Sequence, residues 1–288
     1  MLRLCYNFYM DALILQFLEG IRNPVLTSFL GIFSLIGEAT VISGVIILVF
    51  WLAPRRAGEQ LIMTVMTSYP LNSYLKFTVA RPRPYIDGAV SKLEPPFGTA
   101  LSDFESFPSG HAQMTTAFFG AVASTSRKVL VWILCFLVVA LIAFARMYFG
   151  VHYPSDVLMG FLFGVVFALL WALIYRVAFD YRYLFFLGCA LFSLIPVLFA
   201  PSQEYLQAAG LLSGTAVSLP LLHFTATFQD AEFPRRIWRV PVGAVILAAV
   251  YLVTMYFPAG AGFQLLKWFL LALAGIFACR RVFEILQI

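Results

Sequence analysis

The chain has 288 residues, 62% of them hydrophobic and only 11% charged, with a formal net charge of +5 and a mean hydropathy of +0.91. Soluble domains carry about 25% charged residues, and one this apolar would expose large adhesive patches. A soluble globular protein is therefore set aside, and lipid is the expected solvent. The basic residues lie in short gaps between apolar runs, which points to orientation in a membrane and not to a nucleic-acid partner.

The first element, 6–21, reads as an amphipathic helix on the membrane surface, short for a span and closed by Pro24. Asp11, Gln16 and Glu19 interrupt it, so it does not read as a cleavable signal peptide. Leu13, Leu15, Phe17 and Leu18 are its candidates for touching acyl chains. Roughly 20 apolar residues cross a bilayer. Runs of about that length follow at 26–52, 60–79, 112–126, 129–149, 155–178, 184–200, 205–222, 240–257 and 263–278. The expected fold is all-α, a polytopic transmembrane bundle of about nine spans.

Between the runs the charges alternate. Arg55 and Arg56, Arg127 and Lys128, Arg176 and Arg182, Arg235, Arg236 and Arg239, and Arg280 and Arg281 fall on one side, cytoplasmic by the positive-inside rule. The other side holds the loop 80–110 with its long connection 85–107, the turn 150–155 and two bare turns near Pro201 and Pro258. A multi-pass protein of the cell membrane is expected. Glu38 lies within the first long run, where a carboxylate is functional or bonded to a neighbour such as Asn72. Cys5, Cys135, Cys189 and Cys279 have no metal-ligand or disulfide spacing.

Three stretches on the non-cytoplasmic side break the charge rule. In Lys76-Phe-Thr-Val-Ala-Arg81-Pro-Arg83-Pro84 the prolines force an extended exit from the helix, so Arg83 can fold back toward Lys76. The bland reading is a snorkelling lysine with a basic loop. Asp87, Lys92, Glu94, Asp103 and Glu105 in the following connection suit a headgroup-reading cover or an idle solvated loop. Pro108-Ser109-Gly110-His111 opens the next helix. Ser109 is a good N-cap, Gly110 lets a ligand approach the backbone, and helix N-termini attract anions. In Arg146-Met-Tyr-Phe-Gly-Val-His152-Tyr-Pro-Ser-Asp156 a carboxylate follows a histidine within reach of its ring. Such a carboxylate can fix the tautomer and leave a nucleophilic nitrogen, or merely complement a helix N-terminus. The chain has three histidines, and two of them fall in these stretches; the third, His223, reads as structural.

Residue types, order and side together resemble the type 2 phosphatidic acid phosphatase (PAP2) superfamily, whose motifs are K-x6-RP, PSGH and SR-x5-H-x3-D. They stand here as Lys76 to Arg83-Pro84, Pro108 to His111, and Arg146 to His152 to Asp156. Ala145 replaces the usual serine. The resemblance spans roughly residues 25–180 and implies a catalytic core there, preceded by an interfacial helix at 1–24 and followed by additional helices at 181–288. It implies that Lys76, Arg83 and Arg146, with Ser109 and the Gly110 N–H, bind phosphoryl oxygens. His152 would attack phosphorus, Asp156 would orient it, and His111 would protonate the leaving oxygen. The implied activity is hydrolysis of a lipid monophosphate or diphosphate, such as undecaprenyl diphosphate, phosphatidic acid, phosphatidylglycerophosphate or a sphingoid phosphate, on the non-cytoplasmic face, with no metal or other cofactor. The competing readings are a phosphoryltransferase to another acceptor, a glucose-6-phosphatase-like hydrolase of a soluble phosphate, and a transporter or flippase.

Overall fold

In the computed structural model, residues 2–97, 104–199, 202–225, 233–258 and 260–288 are described, with side chains from residue 10 onward and without that of Phe233. The expected turn at Pro201, the loop charge Asp103 and the side chain of Cys5 lie outside the described residues. The chain divides into two compact units, Met1–Ser43 with Tyr74–Leu170 and Gly44–Ser73 with Trp171–Ile288.

The first unit contains α1 (Leu2–Gly20), α2 (Pro24–Ile36), the start of α3 (Ala39–Leu52), the end of α4 (Arg55–Val79), α5 (Gly110–Ser124), α6 (Val129–Tyr148) and most of α7 (Pro154–Val177). The second holds the remainder of α3, α4 and α7. It continues through α8 (Arg182–Leu194), α9 (Gln203–Thr225), the single turn α10 (Phe233–Arg236), α11 (Arg239–Thr254), α12 (Ala261–Leu273) and α13 (Cys279–Ile285).

The nine expected spans reduce to six helices long and apolar enough to cross a membrane among the described residues, or seven if α2 and α3, bent by 52° at their junction, count as one broken span. This is a multi-pass membrane protein of all-α fold. The two runs that drop out, 60–79 and 112–126, fail for physical reasons. α4 is studded with Thr64, Thr67, Ser68, Asn72 and Ser73, all buried. Thr64 and Thr67 return their hydroxyl protons to the carbonyls of Gln60 and Met63 at 2.8 and 2.7 Å, and Trp171 donates its indole N–H to Thr67 at 2.8 Å. Such a helix suits a protein interior. α5 has 15 residues, roughly 22 Å at 1.5 Å per residue, shorter than the hydrocarbon core. Its residues Ala112 to Phe118 are buried. By contrast α6 turns Leu130, Trp132, Ile133 and Phe136 outward, as a lipid-facing helix does.

The run 26–52 breaks at Gly37, whose N–H closes α2 on the Phe33 carbonyl at 3.1 Å. A Cβ at Gly37 would meet Ile142 Cγ2 at 2.8 Å and His111 Cδ2 at 2.9 Å, so the glycine admits the His111 ring beside the break. Glu38 therefore lies at the start of α3, where its carbonyl accepts from the Ile42 N–H at 2.9 Å and its carboxylate complements the helix N-terminus.

α1 also departs from expectation. Leu15 and Leu18 are buried against Val90 and Tyr153 instead of facing acyl chains. Among the described side chains of α1, Met10, Leu13, Ile14 and Phe17 are the exposed large apolar residues, and the charged Asp11 points inward with 7% exposure. Arg22, just beyond α1, donates from Nε to the Tyr148 carbonyl at 3.0 Å and from Nη1 to the Ser91 carbonyl at 2.9 Å, tying the end of α1 to the 85–107 connection and to the end of α6.

In the second unit, cations expected in loops are internally bonded, and two of them, Arg182 and Arg239, are buried. Arg239 donates to the carbonyls of Trp51 and Ile288 at 2.6 and 3.0 Å. Arg182 and Arg55 both meet the buried carboxylate of Glu59, at 3.4 and 2.7 Å. The ring of His223 rests against Tyr183, centroids 5.3 Å apart, consistent with a structural histidine.

Candidate active site

All eight residues singled out by the three motifs lie in the first unit, and local chain chemistry explains how each is presented. α4 ends with Lys76 in its last turn, where a cation complements the helix dipole. Ala80 then adopts φ of 47°, a left-handed conformation unusual for a residue with a Cβ, and the chain leaves the helix into Arg81-Pro82-Arg83. That stretch pairs with the far end of the 85–107 connection. The Ser106 N–H donates to the Arg81 carbonyl at 2.7 Å, and the Ser106 hydroxyl donates to the Pro82 carbonyl at 3.1 Å.

α5 starts at Gly110 with Ser109 as its N-cap, the Ser109 hydroxyl accepting from the Ala112 N–H at 3.4 Å. α6 closes in a Schellman motif. The Val151 N–H reaches back to the Arg146 carbonyl at 3.2 Å and the Gly150 N–H to the Met147 carbonyl at 2.9 Å. Gly150 holds φ of +72°, and a Cβ there would meet Ser91 O at 2.9 Å, so glycine is required on both counts. This reversal returns His152 toward the start of α5, and Pro154 then opens α7.

α5 and α7 pack backbone to backbone. A Cβ at Gly160 would lie 2.5 Å from the Ser109 carbonyl oxygen, and one at Gly164 would lie 2.6 Å from the Gln113 carbonyl oxygen. This is the small-xxx-small packing of membrane helices. The Ser109 N–H donates to the Asp156 carbonyl at 3.0 Å, so the second and third motifs are joined through the main chain.

The His152 ring is 2% exposed. Its Nδ1 lies 2.7 Å from the Ser106 carbonyl oxygen. A carbonyl can only accept, so Nδ1 carries the proton, and a neutral ring then presents its lone pair at Nε2. Arg83, fully buried, donates from Nη1 to the Val151 carbonyl at 2.9 Å and approaches His152 Nε2 at 3.4 Å. The expected Asp156 contact differs in kind: its Oδ2 is 3.8 Å from Nδ1, too long for a hydrogen bond. That oxygen accepts instead from the Tyr153 N–H at 2.8 Å, and Oδ1 accepts from Arg81 Nη1 at 2.7 Å. The tautomer is therefore set by a main-chain carbonyl, and the carboxylate acts on the ring through space.

Arg146, 2% exposed, donates from Nη1 to the Ser34 hydroxyl at 2.8 Å. Ala145, at the position of the family serine, is buried among Leu30, Tyr148, Phe149 and Val151. The hydroxyl on Arg146 is thus supplied by α2. Lys76, Arg83, Arg146 and His152 are all near enough to His111 to act on it electrostatically. Among the described residues His111 Nε2 has no hydrogen-bond partner. The arrangement thus gathers three buried cations, a helix N-terminus, an imidazole with a directed lone pair and a second imidazole with an open nitrogen. No three His, Cys, Asp or Glu side chains cluster as a metal site among the described residues.

Four contributors were not singled out from the sequence: Ser106, Arg81, Ser34 and Asp11. Arg81 sat in plain view between Lys76 and Arg83, and its pairing with Asp156 depends on the fold. Ser106 acts through its main-chain oxygen, which carries no residue-type signal.

Residues 57–180 match the family model of the PAP2 superfamily. The lipid A 1-phosphatase of Rhizobium etli is 39% identical over 110 residues, covering 37% of this chain and 45% of that protein. The undecaprenyl-diphosphatase of Sulfolobus acidocaldarius is 32% identical over 110 residues, covering 38% of this chain and 51% of that protein. The chain thus spans about half the length of the curated relatives it matches. The crystal structure of Aquifex aeolicus LpxE aligns with a TM-score of 0.46 and 26% identity, covering 55% of this chain and 92% of that one.

Proposed function

We propose, from the match of residues 57–180 to the family model of the PAP2 superfamily, that the chain is a membrane phosphatase hydrolysing the phosphate monoester or diphosphate of a lipid through a phosphohistidine at His152. The observation that carries this reading is the commitment of Nδ1 to the Ser106 carbonyl, which leaves the Nε2 lone pair beside a buried cation at 3.4 Å. Lys76, Arg83 and Arg146, with the Gly110 N–H and Ser109, hold the phosphoryl oxygens. Nε2 attacks phosphorus; the N–P bond forms and the P–O bond to the lipid breaks. His111 gives its proton to the departing oxygen. It then takes one from the water that cleaves the N–P bond, releasing orthophosphate and restoring His152. Burial first, and then the charges of Arg146, His152, Lys76 and Arg83, hold His111 well below the ordinary imidazole range; a bound phosphate cancels part of the cations' share, which shifts the ring toward the protonated form while substrate is present.

Phosphoryl transfer is governed by positioning and charge neutralisation, and three fixed cations supply the latter. Turnover by purified protein is therefore expected to be unchanged in excess EDTA. Loss of activity restored by Mg²⁺ would assign the neutralisation to an ion instead.

The substrate's tail is the second part of the reading. α1 presents Met10, Leu13, Ile14 and Phe17 outward in the unit that holds the site, so a lipid can stay in the bilayer while its phosphate reaches His152. Extraction would cost about 0.8 kcal/mol per methylene. Lipid A and undecaprenyl diphosphate, from the names of the relatives, belong in the first panel with phosphatidic acid. In detergent, kcat/KM for long-chain phosphatidic acid should exceed that for glycerol 3-phosphate by roughly 100-fold or more, given that free energy per methylene. Equal efficiencies would favour a hydrolase of soluble phosphates.

The site faces the non-cytoplasmic side in this reading, opposite Arg55, Arg56, Arg127 and Lys128. In a chain whose own cysteines are replaced by alanine, a cysteine at exposed Glu94 should react with an impermeant thiol reagent in intact cells, and one at exposed Lys128 should not. The opposite labelling pattern would invert the topology.

A further inference from the structure

Besides the groups that would meet the phosphate, one carboxylate from α1 enters the same cluster. Asp11 is 7% exposed. Its Oδ2 accepts from Arg81 Nη2 at 3.2 Å and from the Ser155 hydroxyl in a short hydrogen bond, and its Oδ1 accepts from the Ser155 N–H at 3.3 Å. Arg81 in turn donates from Nη1 to Ser155 Oγ at 2.8 Å and to Asp156 Oδ1 at 2.7 Å. Its guanidinium lies 3.8 Å over the Tyr153 ring, whose hydroxyl donates to Asp87 at 2.9 Å. One guanidinium is therefore shared between two buried carboxylates and clamped on a ring.

A buried carboxylate is costly unless paired, and Asp11 lies on the same helical face as the buried Leu15 and Leu18. Its inward placement opposes the simple gain of packing an apolar residue there. What it accomplishes is geometric. With Nη2 held by Asp11 and the guanidinium plane held by Tyr153, Nη1 is directed at Asp156 Oδ1. Asp156 Oδ2 is left on the Tyr153 N–H and 3.8 Å from His152 Nδ1.

We infer that Asp11 is a positioning residue, which through Arg81 holds the Asp156 carboxylate beside the His152 imidazole, so that the N-terminal helix completes the active site. This rests on the reading of His152 as the nucleophile. Asp11 touches neither that ring nor the phosphate cations, so its loss should act on the chemical step and not on substrate binding.

The test measures phosphate release from phosphatidic acid in detergent micelles by the purified full chain, with rates normalised to folded, monodisperse protein. Asp11→Asn, which keeps shape and removes charge, and Asp11→Ala should each lower kcat on the order of 10-fold, with KM within about two-fold, a typical scale for an oriented charge contact. In an Arg81→Ala background the same substitutions should have no further effect on kcat, because the pathway from Asp11 to Asp156 is already cut. If Asp11→Ala does not fold, the isosteric Asp11→Asn decides alone. Wild-type kcat in Asp11→Asn, a change confined to KM, or an equal loss with and without Arg81 would overturn the inference. Should His152→Ala retain turnover, the nucleophile assignment fails and this inference with it. A dead His152→Ala beside an unimpaired Asp11→Asn removes the inference alone.

Discussion

His152→Ala is expected to abolish phosphate release, lowering turnover by on the order of 10⁴-fold or more, as loss of a nucleophile does in other covalent mechanisms. The magnitude follows from what remains. Lys76, Arg83, Arg146 and the start of α5 would still bind the phosphoryl group, so KM should change little. No other described group presents a lone pair of the same kind: Nε2 of His152 is directed because Nδ1 is committed to the Ser106 carbonyl at 2.7 Å. His111, the other imidazole near the cations, has Nε2 without a partner among the described residues and would have to abandon the acid role proposed for it to substitute. The measurement is phosphate release by purified variant and wild type at matched folded concentration. Incubation with lipid labelled in its phosphate, followed by alkaline quench, should leave label on wild type and none on the variant. Label retained on the variant would place the nucleophile elsewhere.

Gly160→Ala is expected to lower thermal stability by on the order of 5–10 °C and to reduce the activity of the protein that remains folded. The added Cβ would lie 2.5 Å from the Ser109 carbonyl oxygen and 3.2 Å from Ala112 Cβ and the Gln113 N–H nitrogen. The nearest atom is backbone, so no rotamer change relieves the clash, and α7 must move off α5. Overpacking of this kind costs roughly 1–3 kcal/mol, which at 2–4 °C per kcal/mol gives a shift of about this size. The same displacement stretches the 3.0 Å bond from the Ser109 N–H to the Asp156 carbonyl, which separates the start of α5 from the histidine turn. Gly188 in α8 supplies the internal control, since a Cβ there would meet nothing within 4 Å. Gly188→Ala should be neutral or stabilising by about 0.5–1 kcal/mol from helix propensity. Equal melting temperatures for the two variants would show that close helix packing does not hold the site.

Much of this protein was legible in its sequence because the relevant physics is local. Composition identified lipid as the solvent. Among the described residues each apolar run became helix over most of its length, since an apolar run with few prolines satisfies its backbone within the segment in that way in a bilayer. Lys76, Arg83, Ser109, Gly110, His111, Arg146, His152 and Asp156 were singled out from motifs that resemble a known family, and the fold places all eight in one compact unit. Other features were decided by tertiary structure alone. Hydropathy cannot say whether a helix meets lipid or protein, so α4 and α5 were counted as spans although one is polar inside a bundle and the other has 15 residues. The break at Gly37 depends on a ring 74 positions away in the chain, as the numbers of Gly37 and His111 show. The acceptor for His152 Nδ1 is a main-chain oxygen 46 residues upstream, and Asp11 meets Ser155 across 144 residues. A carbonyl oxygen is common to every residue type, and an inward carboxylate on an apolar helix resembles an interruption. Only the packing of distant helices gives such groups a partner, because burial turns an otherwise solvated charge or carbonyl into one that must be matched.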